Sequence, residues 1–258
     1  MIVDCHTHFS DDQRLMSELL GSAEPVDKCI VLGDRQPAFE DVNEKMSEFV
    51  NAHKEKMIGF AFIDPTREIY DSRTLRSVTE RLGLSGTVVY CADCGFHPTH
   101  SKAMRFYEAA EELGLPVFFH NGPALRPDSQ LEYAQPMLLD SIANHFRNLK
   151  IVIGNIGTPF FEQTYAMLAK HENVYADFTI NPERPWQTYN AVVFTYENKL
   201  TKKLLFGSGF PMGRADSCIE TLLGFNRLLG TSYLPTVPRS VISDFLETDT
   251  LSILGIAK

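Results

Sequence analysis

The chain contains no apolar run approaching the ~20 residues that cross a bilayer, so a helical membrane protein is not expected. Its first residues read directly as a strand, so no leader segment is expected either. It carries no internal repeat, low-complexity tract or long linker, which excludes solenoids and disordered arrays. It has no excess of basic residues. Lys and Arg number 24 against 33 Asp and Glu, a formal charge of −9, which argues against a general nucleic-acid-binding surface. Its five cysteines (Cys5, Cys29, Cys91, Cys94 and Cys218) are odd in number and scattered. That usage suits a reduced, cytoplasmic protein rather than a disulfide scaffold.

What the chain does have is 258 residues, 44% of them hydrophobic, enough for one large core. Short apolar runs at 2–6, 28–32, 57–63, 86–90, 116–120, 150–154, 173–178 and 203–207 read as eight strands. Most are continuously apolar, as strands buried on both faces are. Amphipathic segments at 39–53, 101–113, 131–145, 159–170, 185–198 and 216–228 read as helices, with further ones at 11–20 and 67–81. Alternation of eight strands with helices predicts a single (β/α)8 TIM barrel over residues 1–258, with a C-terminal helical extension at 238–256 packed outside it.

In such a barrel the chemistry sits where strands end and βα loops begin. The first strand ends Asp4-Cys5-His6-Thr7-His8. Side chains alternate along a strand, so His6 and His8 point the same way and form half of a metal site, or are two partly exposed strand-end histidines. The same alternation turns Asp4 inward beside them and Cys5 outward toward the helices. Later strand ends carry Gly95-Phe96-His97-Pro98, His120-Asn121-Gly122, Gly154-Asn155-Ile156-Gly157, Asp177-Phe178-Thr179 and Gly207-Ser208-Gly209-Phe210-Pro211. His, Asp, Asn and Cys are concentrated there.

Taken in order, these strand ends resemble the amidohydrolase superfamily, in its amidohydrolase-related branch of aminocarboxymuconate-semialdehyde decarboxylase-like enzymes. The resemblance spans nearly the whole chain. It implies that His6, His8 and His120 bind one divalent metal, zinc by expectation. It also implies a strand-eight aspartate completing the shell and a strand-six histidine serving as acid and base. This sequence has Gly209 and Asn155 at those two places. An amide has no useful proton affinity near neutral pH, so Asn155 is read as a hydrogen-bond donor to a substrate oxygen or oxyanion. Asn121, His97, Arg126, Ser208 and Arg214 are the expected substrate contacts, the two arginines through bidentate bonds to a carboxylate.

Other residues keep two readings. His100 and the Cys91/Cys94 pair are substitute ligands or ordinary loop residues. Asp177 orients a histidine or is a buried structural carboxylate. Trp186 and Tyr189 wall the pocket or pack between helices. The expected activity is that of a divergent metal-dependent hydrolase, less readily a decarboxylase, acting on a small organic acid, amide or lactone through metal-bound water. The alternative is a ligand-binding barrel that has lost catalysis. Expected partners are the small molecule and a second copy as a homodimer, with neither nucleic acid nor membrane.

Overall fold

The computed structural model describes residues 1–34, 41–122, 126–230 and 232–257, the side chain of Leu228 apart. Eight parallel strands form one sheet in sequence order: β1 (Val3–His8), β2 (Lys28–Leu32), β3 (Met57–Phe62), β4 (Gly86–Val89), β5 (Val117–Phe119), β6 (Ile151–Ile153), β7 (Val174–Thr179) and β8 (Leu204–Gly207). The ring closes just beyond β8. The Gly209 N–H donates to the His6 carbonyl at 2.8 Å, and the His8 N–H donates to the Phe210 carbonyl at 3.0 Å. The expected (β/α)8 barrel is therefore the observed architecture.

The apolar strands divide their side chains between two cores. Cys29, Val31, Ile151 and Ile153 face the helical layer, whereas Ile30, Leu32, Phe60 and Phe118 fill the barrel. The helices between strands are α1 (Gln13–Ser22), α2 (Val42–Ala52), α3 (Ser72–Leu82), α4 (Cys91–Cys94), α5 (Ser101–Leu113), α6 (Asp140–His145), α7 (Phe161–Lys170) and α8 (Pro185–Glu197). After β8 follow α9 (Ala215–Leu223), α10 (Arg239–Leu246) and α11 (Thr250–Leu254). Local signals fix many ends. Asp12 and Asp71 cap α1 and α3 by accepting from Arg14 N and Thr74 N, each at 2.8 Å.

Three expectations change. The helix read at 131–145 is two short 3-10 turns, Leu131–Ala134 and Pro136–Leu139, followed by α6. Pro136 has no N–H to give, so a continuous helix cannot pass through it. The helix read from 39 starts at Val42, and 39–40 lie outside the described residues. The tail does not only pack outside the barrel. Leu251, Leu254 and Ile256, on and just after α11, join Val3 and Ile58 in the interior cluster. They plug the end of the barrel where strands begin, which leaves the opposite end as the open one. No described helix is long and apolar enough to cross a membrane.

Candidate metal centre

A bulge in β1 builds the centre. Asp4 pairs with Cys29 and Thr7 with Val31, so Cys5 and His6 together oppose the single residue Ile30. The inserted residue resets the alternation. Val3 and Cys5 face the barrel interior below the bulge, and His6 and His8 face it above. Two expectations from simple alternation are thereby corrected. Cys5 points inward, its Sγ lying 3.9 Å from Asp177 Oδ1. Asp4 pairs with a helix-facing residue, and its carboxylate accepts from Ser208 N at 2.9 Å and His6 N at 3.2 Å. Burial raises the Asp4 pKa to about 6 despite these bonds.

His120 follows β5 directly and completes a triangle. Ring centroids of His6, His8 and His120 lie 4.9, 5.2 and 5.0 Å apart. One nitrogen from each falls within 4.8 Å of the others, the only such group of metal-ligating side chains among the described residues. His6 Nε2 is 3.0 Å from His8 Nε2, close to the ~3.3 Å edge of a tetrahedron with zinc–nitrogen bonds of 2.0–2.1 Å.

The donor chemistry fits a divalent cation. Ligating imidazoles must be neutral, and burial, followed by the neighbouring imidazoles, holds His8 and His120 so. The His8 pKa is lowered to about 3 and that of His120 well below its ordinary value. Among the described residues, Nδ1 of His8 and Nδ1 of His120 are both buried without a hydrogen-bond partner, an unmet polar capacity that costs free energy. His6 is oriented from behind. Its Nδ1 donates to Asp177 Oδ2 at 2.5 Å, which leaves Nε2 facing the other rings.

Asp177, on β7, is fully buried and well supplied with donors. It accepts from Asn155 N at 2.8 Å and from Thr179 Oγ1 at 2.8 and 3.0 Å. Of its two sequence readings, the structure shows the histidine-orienting contact. A Cβ on Gly207 would overlap Asp177 Oδ1, so the glycine makes room for the carboxylate. Asn155 and Ile156 take the left-handed conformation, at φ 48° and 49°. That is uncommon for asparagine and an outlier for β-branched isoleucine. The turn delivers the Asn155 N–H to Asp177, and its side-chain amide donates to the Asn121 carbonyl.

The imidazoles form part of the lining of a cavity of about 430 Å³ at the open end. Of the expected site residues, Asn155, Arg126 and Ser208 also line it. Asn121, His97 and Arg214 do not. Asn121 is buried and donates to the Ala134 carbonyl at 2.7 Å. His97 Nδ1 is held by Thr99 Oγ1 at 2.9 Å, and its ring faces Tyr133. Arg214 pairs with Asp216 at 2.8 Å on the surface. His100 accepts from Lys102 N in capping α5. Cys91 is buried with its thiol pKa pushed up by burial, and with Cys94 it gathers no further ligands among the described residues. Tyr189 packs on Phe225 and Trp186 is exposed; neither lines the cavity.

Several cavity residues are given no site role by the sequence reading. Arg184 and Gln187 arrive with α8, Asp34 follows β2, and Asp93 lies within α4. Tyr90 sits with its ring centroid 4.5 Å from that of His120, and its hydroxyl donates to the Gly33 carbonyl at 2.9 Å. Its place at a strand end, like that of His120, was the available signal.

Fold and centre define the class: an eight-stranded α/β barrel with three imidazoles converging at its C-terminal mouth. The amidohydrolase family profile matches residues 3–230, and the chain belongs to that family. No curated protein matches it. Among solved structures it is similar to a probable 2-pyrone-4,6-dicarboxylic acid hydrolase of Acinetobacter baumannii with citric acid bound (14% identity, 99% of each chain, TM-score 0.69). It is similar to a dihydroxybenzoic acid decarboxylase of a Polaromonas species with bound manganese (15% identity, 98% of this chain and 96% of that one, TM-score 0.70). A dihydroorotase of Campylobacter jejuni is a third (18% identity, 100% of this chain and 84% of that one, TM-score 0.67). At these identities the likeness is one of fold.

Proposed function

We propose that the protein is a metal-dependent hydrolase acting on a lactone, ester or amide carbonyl of a small organic acid. The observation that carries this reading is the convergence of three imidazoles, His6, His8 and His120, on one point of the cavity wall. His6, His8 and His120 hold the cation, and a set of three imidazoles suits zinc. When bound, the cation supplies Lewis acidity toward a carbonyl oxygen and toward water.

The chain's own residues supply the rest. Asp177 fixes the His6 tautomer. Asn155 commits one amide hydrogen to the Asn121 carbonyl and keeps the other for a substrate oxygen. Outside the trio no described histidine lines the cavity. Proton transfer therefore falls to Asp34 and Asp93, which line the cavity beside Tyr90; burial first, and then these carboxylates, push the Tyr90 pKa upward. A second reading, a binding barrel without turnover, is favoured by one observation: the side chain at position 155 is an amide already tied to the backbone.

The deciding experiment purifies the protein from zinc-supplemented medium, measures metal per chain, and assays lactones, esters and amides of small acids. One zinc per chain, lost in His120→Ala together with hydrolysis, supports the hydrolase. Stoichiometric zinc with tight ligand binding and no turnover supports the binding barrel. No metal under any condition overturns both the metal assignment and the proposed reaction.

A further inference from the structure

The cavity is polarised around the barrel. In sheet order, Asp34 and Asp93 reach it after β2 and β4, and Arg126 and Arg184 reach it after β5 and β7, with Asn155 and Thr158 between the arginines. It also differs with depth. His6 at the floor is 1% exposed, whereas both arginines stand in the exposed rim. Arg126 shares its Nε with Asp128 at 3.2 Å. The Arg184 guanidinium has no ion pair or side-chain hydrogen bond among the described residues. It heads α8 as a cap residue whose side chain makes no capping bond, so its charge is not consumed by the helix. The walls include four aromatic side chains, Phe9, Phe161, Phe178 and Phe210.

Resting on the hydrolase reading above, we infer that Arg184, assisted by Arg126, binds a substrate carboxylate that does not react. The ligand has two ends. An anion meets the planar guanidinium at the rim, where an Arg–carboxylate pair forms parallel charge-assisted bonds. A flat apolar or ring-shaped body packs against the aromatic side chains of the walls. A hydrolysable carbonyl reaches the floor. A carboxylate held at the rim is not the group presented to the imidazoles, so this arrangement selects hydrolysis over loss of carbon dioxide. The step balances with water alone: the carbonyl carbon gains the water oxygen, its bond to the leaving oxygen or nitrogen breaks, and the departing atom takes the proton. Arg184 thereby takes the part the sequence reading gave to Arg214, which Asp216 holds on the surface.

The test uses benzoate and its neutral isostere benzamide, titrated calorimetrically into the full-length protein, once zinc-loaded and once stripped with chelator. The stripped wild type is expected to prefer benzoate by about tenfold or more, the scale of one charge-assisted pair. Arg184→Gln is expected to reduce that preference to about twofold, and Arg184→Lys to keep part of it, since a single ammonium replaces the fork. Zinc content should stay unchanged in both variants.

Equal affinity for the two probes in the stripped wild type, or binding of neither, overturns the proposal. So does a preference that survives Arg184→Gln. So does one present only in the zinc-loaded protein, since that places the carboxylate at the floor. Failure of the hydrolase reading is separately visible: a preference that tracks Arg184 in a protein that never holds zinc supports the carboxylate site and overturns only the metal chemistry.

Discussion

The two ends of the barrel are made by the same eight strands and are opposite in character. Where the strands begin, Val3, Ile58, Leu251, Leu254 and Ile256 close the interior with apolar contact alone. Where they end, β1 turns from Val3 and Cys5 to His6 and His8 across one inserted residue, and two imidazole nitrogens are buried without partners among the described residues. Burial satisfies a methyl group completely and leaves a ring nitrogen wanting. The plugged end spends its residues on stability. The open end holds polar capacity in reserve for a ligand.

The sharpest way to break the comparison is at His120. His120→Ala is expected to abolish stoichiometric zinc, measured by elemental analysis of purified protein. The stability of the metal-free chain in urea should shift by no more than about 1 kcal/mol, because the lost ring carries an unsatisfied nitrogen. The plugged end should respond the other way. Leu254→Ala, which removes a side chain 1% exposed, is expected to cost about 2–5 kcal/mol in urea denaturation with zinc content unaltered. If the leucine variant also loses zinc from folded protein, the two ends are not independent.

Asp177→Asn tests support from behind the centre. Loss of such an orienting carboxylate weakens a site about 10–100-fold, so competition against a chelating dye should show that drop with one zinc still bound at saturation. Gly209 gives a smaller and more specific effect. Its φ is +66°, and a Cβ there would lie 2.6 Å from Thr179 Cγ2. Gly209→Asp alone is expected to cost about 1–2 kcal/mol without tightening zinc binding. Thr179→Ser removes that methyl and keeps the hydroxyl on Asp177. Adding it to Gly209→Asp should recover stability and raise zinc affinity.

Titration of the metal-free protein probes the open end without any substitution. Folded His8 resists protonation down to about 3, against 6.5 when unfolded, and His120 shifts the same way. Below 6.5 the unfolded chain therefore binds more protons, and stability falls with decreasing pH over that window. Asp4, held near 6 against 3.8, works in the opposite sense but is one group against two. The urea midpoint should drop between pH 7 and 5, less steeply in His8→Ala, and in parallel with wild type in Leu254→Ala.

The barrel was legible because strands buried on both faces leave unbroken apolar runs. The trio was legible because its members sit at strand ends. The bulge was not. Nothing in Asp4-Cys5-His6 tells that two successive side chains turn inward, since a bulge is set by pairing with β2 rather than by local preference. The reach of loop residues was not legible either. Arg214 and His97 are taken up by Asp216 and Thr99, each two residues away, while Arg184 makes no ion pair among the described residues and sits at a helix start that gave no signal of facing the mouth. The plug escaped notice because an apolar tail reads alike whether it lies against a barrel or closes one.

The seam between β1 and the residues after β8 has an implication for assembly. Two backbone bonds hold the first histidines in place, and both come from Gly209 and Phe210, some two hundred positions later in the chain. The strand that carries His6 and His8 is thus clamped by partners that close the longest loop in the sheet. On the proposed metal-dependent reading, affinity for the ion is a property acquired only when the circle is complete.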